Sequence, residues 1–202
     1  RDAYATAVLG TACAAFQQLA VDQPEGAHRS LDEALDGWPA EPFLLPHLLQ
    51  RVTRACVYAY EGRFAEADEL GMATYKSAKR AGLLRHQINR ARLDQLVAIC
   101  AARQGDVPRA VRHARALVKH PLGGLAPAGH MVLGALAAEA GDKVTAEREL
   151  RIAVTGLMPT EFASWRAAAC AALAHLVPAD EAAALNDIAE QWVSAEGIVA
   201  PR

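Results

Sequence analysis

The sequence predicts an all-α protein built as a stack of about five antiparallel helical hairpins. Three observations carry that expectation. Alanine is abundant, and aromatic residues make up only 5% of the 202 residues; alanine is the best helix former, whereas aromatic and β-branched residues favour strands. Apolar positions recur at helical spacing along most of the chain. A glycine hinge also recurs. Gly62, Gly105 and Gly141 each have an alanine three residues before (Ala59, Ala102, Ala138) and another five residues after (Ala67, Ala110, Ala146).

Taken in order, residues 3–20 are small and apolar and predict a first helix, broken at Asp22-Gln-Pro-Glu-Gly26, where Pro24 suits an early helix position. A short helix is expected over 28–35, ended by Gly37-Trp-Pro39. Residues 44–61 place Leu48, Leu49, Val52, Ala55, Cys56 and Ala59 on one helical face. Their partner runs over 63–81 and stops at Gly82. A third pair is expected over 83–104 and 107–120, hinged at Gly105-Asp106 and ended by Pro121-Leu-Gly-Gly124. The fourth pair spans 125–140 and 143–154, hinged at Gly141-Asp142. The fifth spans 159–176 and 179–196, hinged at Val177-Pro178 and closed by Gly197.

Asp22 and Val177 fill the hinge slot in the outer pairs, with Ala27 and Ala182 again five residues on. The five hinges lie 40, 43, 36 and 36 residues apart, a period that marks stacked hairpins. Small residues at fixed offsets predict a close crossing of the two helices near each turn, because a leucine there would force them apart.

These hinges resemble the tetratricopeptide repeat, in degenerate form, over most of the chain. The Trp and Tyr of a strict repeat are mostly missing, although Tyr60 keeps an aromatic before the turn. The resemblance implies a tetratricopeptide-like α-solenoid, 1–202 as a single domain: a right-handed superhelix whose concave face binds peptides or protein surfaces. A narrower resemblance is to the C-terminal repeat region of bacterial serine/threonine protein kinases. It rests on Trp38-Pro39 leading into Val57-Tyr-Ala-Tyr-Glu-Gly-Arg63, on Leu83-Leu-Arg-His-Gln-Ile-Asn-Arg90, and on Gln191-Trp-Val-Ser-Ala-Glu-Gly-Ile-Val-Ala-Pro-Arg202. There is no Gly-rich ATP loop, no His-Arg-Asp and no Asp-Phe-Gly, so no kinase domain lies in this stretch. The chain starts at Arg1, and we expect it to be part of a longer protein.

Charge is the next signal. Residues 1–75 hold 5 basic and 11 acidic residues, 76–119 hold 11 and 2, and 120–202 hold 5 and 10. The overall charge of −2 hides a basic middle. Within it, Arg109, Arg112, Arg115 and Lys119 share a helical face, and Arg85, Asn89 and Arg92 share another, beside His86 and Arg90. Arginine forks match carboxylate and phosphate, so a docking surface for an acidic or phosphorylated protein or peptide, or for another domain of the same parent chain, is one reading. A solvated face, or pairing with acids of adjoining repeats, is the other. In the tetratricopeptide arrangement Arg109 would lie on the convex side, while the helix of Arg85, His86, Asn89, Arg90 and Arg92 would face the concave side. We therefore take those five as the candidate partner-binding residues. Nucleic acid is disfavoured by the low pI of about 6.4 and by the lack of aromatics among the arginines.

No catalytic residue, metal or cofactor is expected. His28, His47, His86, His113, His120, His130 and His175 form no i, i+4 pair and no His-Glu-x-x-His; His47, His130 and His175 read as capping or satisfied core groups. Ser30, Ser77, Ser164 and Ser194 lack a nucleophile-elbow motif. Cys13, Cys56, Cys100 and Cys170 are scattered in apolar helical stretches, which predicts buried free thiols in a reducing, cytoplasmic setting. Trp38, Trp165 and Trp192 are expected to seal hairpin ends. No uninterrupted apolar run could cross a membrane. The function expected is a non-catalytic interaction or sensor module of a bacterial signalling protein. The alternatives are the effector-binding sensor portion of a large ATP-dependent transcription regulator, and a helical enzyme or nucleic-acid module.

Overall fold

A computed structural model of the protein describes residues 3–120, 123–160 and 162–199. All regular structure among them is helical, in eleven α-helices with short π and 3-10 turns. The expected stops at Pro121-Leu122 and the closing Pro201-Arg202 lie outside the described residues. The chain divides into two compact units, Arg1–Gln104 with Val199–Arg202, and Gly105–Ile198. The helices expected to form the third hairpin belong to different units.

In the first unit, α1 (Ala3–Leu9), a π-helical turn (Gly10–Ala14) and α2 (Ala15–Ala20) make up the first helical stretch. Within the π turn, the carbonyl of Thr11 accepts the Thr53 hydroxyl at 2.9 Å. The helices α3 (Pro24–Glu33), α4 (Leu45–Tyr60), α5 (Phe64–Arg80) and α6 (Gln87–Arg103) follow. Pro24 opens α3 and Pro46 falls in the first turn of α4, where a missing N–H costs nothing. Ala15, Leu19, Ala27, Leu31 and Val57 form one buried cluster, Leu48, Leu49, Val52, Ala78 and Leu93 a second, and Ala55, Ala67, Leu96 and Cys100 a third.

The second unit holds α7 (Val107–Val118), α8 (Ala126–Glu139), α9 (Lys143–Leu157), α10 (Ala163–Ala174) and α11 (Ala179–Ala195). Each helix packs on its neighbour in sequence. Glycines set the closest approaches. A Cβ on Gly129 would sit 2.5 Å from the Ala114 carbonyl oxygen, and one on Gly134 would sit 2.7 Å from Leu150 Cγ. Helix α8 thus lies tight against both α7 and α9.

The recurring hinge has one local design. At Gly62 (φ 79°) the N–H of Gly62 donates to Ala59 O at 3.0 Å and that of Arg63 to Tyr58 O at 2.8 Å. At Gly141 (φ 78°) the equivalent bonds run to Ala138 O at 3.0 Å and from Asp142 to Ala137 O at 2.9 Å. This Schellman arrangement requires a left-handed residue just past the helix end. Asp22 takes the same role with φ 56°, bonding to Leu19 O, and the phenol of Tyr60 donates to its carboxylate at 2.7 Å. Val177 does not: Pro178 follows it in extended conformation and caps α11. Of the alanines five residues past the hinge, Ala27, Ala67, Ala110 and Ala146 are fully buried as expected, whereas Ala182 is only half-buried. Those three residues before it depart from expectation: Ala59 and Ala102 are half-buried and Ala138 is exposed. The helix has by then reached its surface turn, and in the α8–α9 hairpin the first-helix contribution to the crossing comes from Gly134, whose position meets Leu150 and the Ala146 carbonyl oxygen.

Other expectations need adjustment. Cys13 is exposed and Cys56 half-buried, while Cys100 and Cys170 are buried; Cys13 sits on the open side of the first helix, between the exposed Leu9 and Phe16. Burial pushes the Cys56 thiol up to about 11. His47 is a cap: its Nδ1 accepts the Leu44 N–H at 3.0 Å while Nε2 lies 3.0 Å from Pro39 O. His130 lies 2.7 Å from Glu149 across α8 and α9, and His175 is exposed at the end of α10. Trp38 packs on Tyr4 and Trp165 on Phe162.

Candidate docking surface at the turn between α5 and α6

From Lys76 to Arg92 the chain carries Lys76, Lys79, Arg80, Arg85, Arg90 and Arg92, together with His86, and no acid. All seven are exposed. Local structure explains their placement. Lys79 and Arg80 close the last turn of α5, where cations complement the helix dipole. Gly82 then turns left-handed at φ 73°, a conformation that glycine adopts without the strain a Cβ would bring. Leu83 and Leu84 fold back onto the cluster of Leu48, Leu49 and Leu93. That inward turn, a 3-10 segment over Leu83–Arg85, delays the start of α6 to Gln87.

The expected helix over 83–104 is therefore shorter at its front. Arg85 and His86 lie in the turn, ahead of the helix, so Arg85, Asn89 and Arg92 do not line one helical face. Asn89 is only 4% exposed, and its amide donates to Leu83 O at 3.1 Å. Its role is to fasten the turn to α6, which takes it off the surface. Arg90 and Arg92 project from the helix itself.

Between the end of α5 and the start of α6 lies a cleft of about 270 Å³, lined by Tyr75, Lys79, Leu84 and Arg90. Arg90 Nε stands 3.8 Å from Asp94 Oδ2, too far for a hydrogen bond. Lys76, Lys79, Arg80, Arg85 and Arg92 make no side-chain ion pair or hydrogen bond among the described residues. The surface is thus a group of cations with almost no internal neutralisation. Arg92 also stands in an open row on α6 with Ile88 and Ile99, which are 41% and 37% exposed; their spacings of four and seven residues place all three on one helical side.

Sequence reasoning singled out Arg85, His86, Arg90 and Arg92, which do share this corner. It missed Tyr75, Lys79 and Leu84. The i, i+4 spacing of Tyr75 and Lys79 just before a glycine stop was the available signal. The second basic row, in the other unit, is partly consumed by its own helix. Arg109 Nε is 3.0 Å from Asp106 Oδ2, and the Asp106 carboxylate caps α7 by accepting the Arg109 N–H. Arg112, Arg115 and Lys119 remain exposed.

Other polar clusters tie helices together. Glu61 receives both His28 at 3.2 Å and Arg63 at 3.0 Å, and the Arg63 guanidinium lies over the Tyr58 ring. Arg151 grips Glu181 and Glu147, joining α9 to α11. A larger recess of about 600 Å³ at the α2–α3 turn is lined by Gln18, Asp22, Glu25, Arg29 and Glu33 among others, and its Asp22 is already held by Tyr60. Among the described residues no group of three His, Cys, Asp or Glu side chains could hold a metal ion, and no helix is long and apolar enough to cross a membrane. No protein-family model matches the chain, and no curated relative is similar to it.

Proposed function

We propose that the protein is a non-catalytic interaction module that docks an acidic segment of a protein partner on the surface formed by the end of α5, the Gly82 turn and the start of α6. The observation that supports this reading is the run of exposed cations from Lys76 to Arg92, uninterrupted by any acid and set around a cleft with Tyr75 and Leu84. Charges of one sign around a concave surface steer an oppositely charged partner and fix its register. Asn89 is not among the anchors in this reading. Arg85, His86, Arg90 and Arg92 are.

The recurring left-handed hinge with a buried alanine five residues on supports placing the hairpins in the tetratricopeptide-like α-solenoid class. The residue resemblance quoted above supports a bacterial, cytoplasmic serine/threonine kinase as the parent of the module. The test is binding of an oriented pool of Asp- and Glu-rich peptides, read by fluorescence anisotropy. The double change Arg85→Glu and Arg92→Glu is expected to weaken binding by about tenfold or more, with a stronger salt dependence for the native chain than for the variant. Equal affinity, with unchanged helical circular dichroism, would refute the assignment.

A further inference from the structure

The cleft of Tyr75, Lys79, Leu84 and Arg90 differs from the rest of the basic surface. Its neighbours Arg85 and Arg92 stand on open ground, each able to meet a carboxylate singly. In the cleft, Lys79 of α5, Arg90 of α6 and Tyr75 line one space of about 270 Å³, with Leu84 as an apolar wall. These three side chains carry hydrogen-bond donors of different geometry, and Asp94, 3.8 Å from Arg90, is almost fully buried. A carboxylate has one charge and two oxygens in a plane. A phosphomonoester has three terminal oxygens in a pyramid and a charge between about −1.5 and −2. It is the ligand whose acceptors outnumber those of a carboxylate in the way the lining donors do.

We propose that this cleft is a phosphoryl subsite, and that the docked segment carries a phosphorylated side chain there. The inference rests on the docking reading above and names the chemistry of its anchor. Lys79 supplies a point charge, Arg90 a fork for two oxygens and Tyr75 a hydroxyl donor. Leu84 covers the carbon stem of the phosphorylated residue. Arg85 and Arg92, outside the cleft, meet flanking Asp and Glu residues. The spacing of the cations also explains why the acid-free run begins ahead of the Gly82 turn, at Lys76 and Lys79: the subsite draws on both helices.

The experiment uses two peptide pools of identical composition, Asp- and Glu-rich around a central threonine, one with that threonine phosphorylated. Phosphorylation is expected to tighten binding to the native chain by about tenfold or more. The changes Lys79→Met and Arg90→Gln, singly or together, are expected to remove that gain. Both residues belong to the docking surface, so each change also weakens the unphosphorylated pool, and the gain is read as the ratio of the two affinities within each variant. Tyr75→Phe tests the phenol alone and should lower the gain in part. If the two pools bind alike, or if the gain survives Lys79→Met with Arg90→Gln, the subsite is refuted and the docking surface stands. If neither pool binds, the docking reading itself fails and the subsite with it. Circular dichroism of each variant separates a lost contact from a lost fold.

Discussion

Substitution of Gly129 by alanine tests how closely the helices of the second unit are packed. In α8 the change should help the isolated helix, since alanine is favoured over glycine by about 1 kcal/mol in a helix interior. The tertiary contact opposes it. The added Cβ would lie 2.5 Å from the Ala114 carbonyl oxygen, 2.8 Å from Val118 Cγ2 and 2.9 Å from the Val118 nitrogen. Two of those three atoms are backbone, so relief requires α7 and α8 to separate along their crossing. Overpacking of this kind costs about 1–3 kcal/mol, and the clash here is at its severe end, so a net loss of about 1–2 kcal/mol is expected after the propensity gain. For a chain of this size each kcal/mol shifts Tm by about 2–4 °C.

The internal comparison is Gly71→Ala in α5. There the new Cβ meets Leu96 Cδ2 at 3.1 Å, the end of a side chain that can yield. That variant should be neutral or stabilised by up to about 1 kcal/mol. Urea denaturation followed by circular dichroism reads both. Gly129→Ala at least as stable as the native chain, or Gly71→Ala the less stable of the two, would refute the close-crossing argument.

Two further predictions concern titratable groups. The Asp142 side chain accepts the Thr145 N–H at 3.0 Å, and the Thr145 side chain first, with that N–H second, holds its carboxyl below its ordinary value of 3.8. Because the folded value is depressed, this cap contributes above the ordinary value and is lost as pH falls through the folded one. Asp142→Asn, which caps without titrating, should leave Tm unchanged at neutral pH and flatten its decline only below about pH 4; a difference confined to neutral pH would sink the cap assignment. Among the cysteines, Cys13 should react with a maleimide reagent in the native protein. Cys100 and Cys170 should react only on unfolding, as read by mass spectrometry of the labelled peptides; burial also raises the Cys170 thiol, which slows it further.

Much of the fold is legible in the sequence because its signals are local. Gly62, Gly105 and Gly141 mark helix ends through a backbone preference that acts within a few residues, and each takes a left-handed φ. The alanines five residues on mark the start of the next helix at the depth where only a methyl fits. The run of charge was legible, and Arg85, His86, Arg90 and Arg92 are exposed. What could not be read was which polar side chains the fold would use for itself. Asn89 has the same helical spacing as an anchor, yet it points inward because Leu83 must turn toward the core and its carbonyl needs a donor. Arg109 looked like the first of a surface row and instead folds back on the cap of its own helix.

The sequence by itself determined that this is an all-helical chain, where most of its helices end, and that its basic residues are concentrated between two acidic stretches. Those properties follow from propensity, turn chemistry and composition, which act over a few residues. Only the tertiary structure decided that the chain divides into two units, that Asp22 can stand where glycine stands elsewhere because Tyr60 holds its carboxylate, and that α8 touches its neighbours through Gly129 and Gly134. Only it, too, brought Tyr75 and Lys79 of one helix to Leu84 and to Arg90 of the next. Each of these depends on contacts between residues distant along the chain or separated by a turn, and the spacing of residue types along a strand of sequence does not encode the direction in which that turn sends the helix that follows.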